Sequence, residues 1–133
     1  MAPLVFPALT AFYGALLAIL FVALSGWVVA GRVNANALHG DGGDDSLAKR
    51  IRAHGNFAEY VPFALLLIGL YEAGGGSHGL TRGLLIALLL ARLSHPYGMF
   101  TPANHWTQFA FRGGAVIVTF LVILIAAGAL LLH

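Results

Sequence analysis

The sequence predicts an all-α membrane protein: four transmembrane helices in a left-handed up-down bundle, forming one domain over residues 1–133. Three observations lead there. Hydrophobic residues make up 59% of the chain and charged residues only 9%, against about 25% in soluble domains. The mean hydropathy is +0.87. Apolar runs near the roughly 20 residues that a crossing helix needs recur along the chain, separated by glycine-rich or proline-bearing connections.

The first span runs from about Leu4 to Ala30. Met1 to Gly31 carries no charge, and no basic segment precedes it, so it reads as a retained span and not a cleaved signal. Pro3 and Pro7 sit near its start, where a missing N–H is tolerated. The second span covers about Phe57 to Ala73, with a polar helical extension back to Ser46. Asp44, Asp45 and Ser46 offer N-cap chemistry for that extension. Pro62 cannot donate to the Ala58 carbonyl, which predicts a kink just past Glu59. The third span, about Gly83 to Phe100, contains Arg92, and Pro96 interrupts its pattern. The fourth covers about Phe109 to Leu132 and is uncharged from Gly113 onward. A two-span alternative would leave two very apolar segments in water. Gly14 with Ala18, and Gly69 with Ala73, have the four-residue spacing that lets helix backbones approach in lipid.

Arg32, Lys49, Arg50, Arg52 and Arg112 flank the first and third connections, while only Arg82 belongs to the second. That bias makes loops one and three cytoplasmic and both termini external, in a bacterial inner membrane. The net charge of +2 rests on seven dispersed Lys and Arg, which excludes a nucleic-acid surface. With no cysteine, the chain has neither a disulfide framework nor a thiolate metal site, and any thiol chemistry must use a bound substrate's sulfur. No histidine pair has ligand spacing, and Asp41, Asp44 and Asp45 lack the order of a calcium loop, so no metal site is expected.

Charge entering the second span marks the candidate site. An ionisable group inside a membrane helix costs a few kcal/mol or more, so it usually faces protein, a cavity or a ligand. On a helix, Arg52, Asn56, Glu59 and Phe63 share a face within about 60°, and Tyr60 borders it. Such a face suits a small zwitterion: Arg52 grips a carboxylate bidentately, Glu59 holds an ammonium, and Asn56 donates and accepts. The competing reading is an internal salt-bridge network, with Arg92 as the partner of Glu59. Arg32 reads equally as a snorkelling residue, and Trp27 and Trp106 as interfacial anchors.

The segment Arg52-Ala53-His54-Gly55-Asn56-Phe57-Ala58-Glu59-Tyr60-Val61-Pro62 closely resembles the second-helix signature of the MAPEG family, the membrane-associated proteins in eicosanoid and glutathione metabolism. That signature is an Arg, an Asn four later, a Glu three later, then an aromatic and a Pro. Weaker echoes are Arg32 twenty residues before Arg52, Ala91-Arg92-Leu93 with His95, Thr101-Pro102, and Phe111-Arg112-Gly113-Gly114. The resemblance implies a homotrimer of four-helix bundles with glutathione bound between subunits near the cytoplasmic face. It also implies transferase or peroxidase-like chemistry on a lipophilic electrophile arriving from the bilayer. By position, Arg52 would bind a glutathione carboxylate, Asn56 its backbone and Glu59 its amino group. Tyr60 would line the pocket, with Arg92, His95 and Tyr97 near the ligand.

The family's transferases place a thiolate-stabilising arginine near the start of the fourth helix. Here that region reads Pro102-Ala103-Asn104-His105-Trp106. The catalytic role is left among Arg32, His105 and Arg112. Two alternatives stand beside this reading: a non-enzymatic trimer binding a lipid or amphiphilic anion at the same face, and an ion or proton pathway through Glu59, Arg92 and His95.

Overall fold

Four helices carry the chain: α1 (Ala8–Ala35), α2 (Asp45–Ala73), α3 (His78–Met99) and α4 (Trp106–Leu132). The structure is a computed structural model and describes residues 4–103 and 105–133, so Pro3 and Asn104 lie outside the described residues. No strand occurs among the described residues.

Each helix ends where the local chemistry ends it. α1 runs past Ala30 because its closing residue comes later. Asn36 adopts the left-handed conformation (φ 50°), and its N–H reaches the Val33 carbonyl at 3.2 Å. α2 begins at its acids: Asp44 Oδ1 accepts from the Leu47 N–H at 2.8 Å, and Asp45 pairs with Lys49 one turn on at 2.7 Å. α2 continues through Pro62 and α3 continues through Pro96 to Met99, so neither proline ends its helix. Each deletes one N–H, and burial of Val61 and Ala64 around the first, and of Gly98 and Met99 after the second, keeps the flanking turns in place. α4 is not uniform. Its stretch Phe109–Gly113 is a π turn, after which Gly114–Leu132 is regular α-helix.

α2 and α3 each pack against all the other helices, whereas α1 and α4 do not touch one another. The two helices that carry charge in their middles therefore occupy the centre, and the two most apolar ones flank them. This is the arrangement expected when ionisable groups need protein around them. The core joins Leu17 and Leu24 of α1 to Phe57, Val61 and Ile68 of α2, Leu85 and Leu88 of α3, and Val122 and Ala126 of α4. The outside is apolar too, with Phe12, Phe63, Leu90 and Leu124 exposed, a surface suited to lipid. α1 and α4 are each long and apolar enough to cross a membrane. With 29 and 22 residues, α2 and α3 extend about 43 and 33 Å, against a hydrocarbon layer about 30 Å thick.

Helices consecutive in sequence run in opposite directions: the Val5 N–H meets the Ala73 carbonyl at 2.9 Å, and Gly98 lies against the backbone of Phe111 and Arg112. His133 Nε2 meets the Gly74 carbonyl at 3.0 Å, so α2 and α4 end together and run parallel. Gly14 faces Leu65 and Gly69 faces Thr10, so both small-residue positions flagged in the sequence serve the α1–α2 contact.

Glu72 closes the far end of the bundle. Its carboxylate accepts from the Leu9 N–H at 2.8 Å, the Thr10 N–H at 2.8 Å and the Thr10 hydroxyl at 2.7 Å. The first N–H groups of a helix have no intrahelical partner, and lipid offers none. Pro7, at the N-cap position, has no side chain to supply one. A carboxylate from the end of α2 does so, and its charge complements the positive end of α1. Glu72→Ala is expected to destabilise the fold by about 2 kcal/mol or more, seen as a lowered thermal midpoint in detergent. Glu72→Gln, which keeps acceptor oxygen, loses less.

Candidate functional site

The other end of the bundle gathers the charge. The end of α1, the start of α2, the end of α3 and the start of α4 bring Arg32, Lys49, Arg50, Arg52 and Arg112 to one side, with Arg82 at the opposite end. Within this end the face read from the α2 sequence is divided by the protein boundary. Arg52 and Glu59 are exposed, and their side chains meet at 3.4 Å in one long contact across two turns. Asn56, between them in sequence, is buried.

Asn56 belongs to a network that crosses three helices. Its Oδ1 accepts from Arg92 Nη1 at 2.7 Å. Arg92 Nη2 donates to Thr119 Oγ1 at 2.6 Å and to the Ala115 carbonyl at 3.0 Å. The Thr119 hydroxyl donates to that same carbonyl at 2.8 Å. Arg92 is 1% exposed, which makes it the largest fully buried side chain described. The expected alternative pairing of Arg92 with Glu59 does not occur. The cation facing Glu59 is Arg52, because Arg92 points into the bundle where Asn56 and α4 offer acceptors. Thr119 was not singled out from the sequence. The available signal was its isolation, as the only polar side chain between Gly113 and Leu132.

The remaining candidates divide into those near this face and those held elsewhere. Tyr60 sets its ring on Phe120 at 5.3 Å and, with Glu59, Phe63, Phe120, Ile123 and Leu124, lines an outward groove of about 440 Å³ between α2 and α4. His95 is buried, and Arg92, Arg112 and Arg52 all bear on it electrostatically. Tyr97 is exposed and packs edge-on against Phe111 at 5.1 Å, beside Arg112. Arg112 is exposed at the end of the π turn and makes no hydrogen bond or ion pair among the described residues. His105 is engaged locally: its Nδ1 accepts from the Thr107 N–H at 3.4 Å and lies 2.8 Å from the Thr107 hydroxyl. Arg32 is engaged as well, donating to the Gly40 carbonyl at 2.7 Å and so fastening the first loop to α1.

Chemically, this end offers an exposed cation and carboxylate on one helix face, a buried amide between them, a guanidinium on α4 with no partner among the described residues, and an apolar groove alongside. No group of three metal-capable side chains converges among the described residues.

A family model, that of the MAPEG family, matches residues 10–132. The chain belongs to the MAPEG family. The match takes in all four helices, and membership makes the bundle a membrane bundle. Two proteins from two strains of Escherichia coli, both named "Inner membrane protein YecN", are each 34% identical over 116 residues, covering 87% of this chain and 85% of their own. No solved structure matches the chain. The Arg52, Asn56, Glu59 and Tyr60 pattern lies on α2 at the charged end. The start of the fourth helix carries Arg112 on a π turn.

Proposed function

We propose that this protein binds glutathione at the Arg52–Glu59 face and uses its thiolate to conjugate or reduce lipophilic electrophiles. All four helices cross the bacterial inner membrane, with the α1–α2 and α3–α4 connections cytoplasmic and both termini external. The working unit is a homotrimer in which a neighbouring subunit completes the site. The observation that carries the reading is the state of the Arg52–Glu59 pair. It is exposed, single and long, and such pairs contribute little to stability. A zwitterion can therefore displace it with small loss, placing its carboxylate on Arg52 and its ammonium on Glu59. The groove lined by Tyr60, Phe63 and Phe120 gives an apolar electrophile a place beside the bound thiol.

The reaction needs the thiol as thiolate. A guanidinium next to the sulfur favours that form by charge and orients the nucleophile. The sulfur lone pair then makes a carbon–sulfur bond as a leaving group departs. With a hydroperoxide the thiolate attacks the terminal oxygen, the O–O bond breaks to give a sulfenic acid and an alkoxide that is protonated to the alcohol, and a second glutathione thiol displaces water from the sulfenic acid to give the disulfide. We assign the stabilising cation to Arg112, because His105 and Arg32 already hold local backbone groups.

Glu59→Gln and Arg52→Ala are each expected to weaken glutathione binding by about tenfold or more, measured by calorimetry on the detergent-solubilised protein. Unchanged affinity in both variants would remove the site from this face. Native mass spectrometry showing tightly held lipid and no glutathione would favour the non-enzymatic lipid-binding reading.

A further inference from the structure

The Arg92 network fixes which end of the Asn56 amide a ligand meets. A carboxamide has an acceptor end and a donor end, and either can be turned outward. Arg92 carries donors only, so the group within 2.7 Å of its Nη1 has to be the Asn56 oxygen. Arg92 is itself prevented from swinging away. The Thr119 proton goes to the Ala115 carbonyl, which leaves a Thr119 lone pair for Arg92 Nη2, and the same nitrogen also reaches that carbonyl.

The amide nitrogen of Asn56 has no hydrogen-bond partner among the described residues. It is not sealed either: the fully enclosed unpaired side-chain atoms among the described residues are Arg50 Nε, Thr81 Oγ1 and Arg92 Nε. An unpaired donor thus retains access to the surface, on the helix face between Arg52 and Glu59.

We propose that Arg92 is a positioning residue that makes Asn56 a dedicated donor, so that the site selects ligands presenting a carbonyl or carboxylate oxygen between the groups held by Arg52 and Glu59. Arg92 acts through Asn56, with Thr119 as the post that holds it. The proposal rests on the glutathione reading for its ligand, and it assigns Arg92 no contact with that ligand. A peptide-like zwitterion with a backbone carbonyl between its charged ends satisfies the three groups together. One carrying a donor at that place leaves two N–H groups facing each other.

Asn56→Asp separates this role from a structural one. The carboxylate still gives Arg92 its acceptor, now with opposite charge, but presents an acceptor to the ligand where the wild type presents a donor. The expected result is a thermal midpoint no lower than wild type, with glutathione affinity reduced about tenfold or more by calorimetry. Thr119→Val, which removes the lone pair holding Arg92, is expected to weaken binding several-fold, and Thr119→Ser is expected to restore it. Wild-type affinity in Asn56→Asp overturns the proposal. A ligand-free readout separates it from the glutathione reading. With asparagine side chains labelled with ¹⁵N, the NH₂ signal that disappears in Asn56→Asp is expected to exchange with water and broaden with a soluble paramagnet. A signal protected from both overturns the proposal whether or not glutathione binds.

Discussion

Arg112→Ala is expected to leave glutathione bound while lowering turnover with a lipophilic electrophile by about 100-fold or more, the scale of removing one stabilising donor from a developing anion. The two measurements are separable. Calorimetry reads binding, and the thiolate absorbance of glutathione, titrated in the presence of protein, reads activation. In the proposed function, binding is carried by Arg52, Asn56 and Glu59 on α2, so affinity is expected to change by no more than a few-fold. Activation needs a permanent positive charge free to meet the sulfur. Arg112 is exposed and makes no hydrogen bond or ion pair among the described residues. The other candidates fail on commitment. His105 holds the first turn of α4, and Arg32 holds the first loop through the Gly40 carbonyl. His105→Ala and Arg32→Ala are therefore expected to keep the thiolate band. Should Arg112→Ala keep it and His105→Ala lose it, the assignment passes to the histidine.

The four apolar runs, the acids that start α2 and the glycines between α2 and α3 act over a few residues, and each falls where local chemistry puts it. The α2 face was legible for the same reason, because helical periodicity alone aligns Arg52, Asn56 and Glu59. Its division at the protein surface was not legible. Whether Asn56 faces in or out depends on Arg92, 36 residues away, and on Thr119, a further 27 beyond Arg92. Glu72 is the clearest case. Its partners lie 62 and 63 residues earlier, and nothing near Glu72 in sequence marks it as the cap of another helix. Arg112 lies six residues into α4, within the π turn, and no local sequence signal marks such a turn. A π turn accommodates an extra residue, so the bearing of Arg112 is set independently of the apolar register that follows it.

That bearing depends on Gly98. The α3 backbone there lies so close to the π turn that a single added carbon would overlap the backbone of Phe111 and Arg112. Backbone cannot yield as the tip of a flexible side chain does. Gly98→Val is expected to cost about 3 kcal/mol or more, at the upper end of overpacking, and to show as loss of folded protein in detergent. Gly83→Ala is the control. It sits on the same helix with nothing within 4 Å of an added carbon, and removing a helical glycine there is expected to leave stability unchanged or raise it by about 0.5–1 kcal/mol. Gly98→Ala tests the link to chemistry. If it folds, the π turn must move away from α3, taking Arg112 with it. The thiolate band then falls while Arg52, Asn56 and Glu59, all on α2, continue to bind glutathione. A Gly98→Ala protein with both binding and thiolate formation intact would show that the close approach serves packing alone and that Arg112 reaches its place without it.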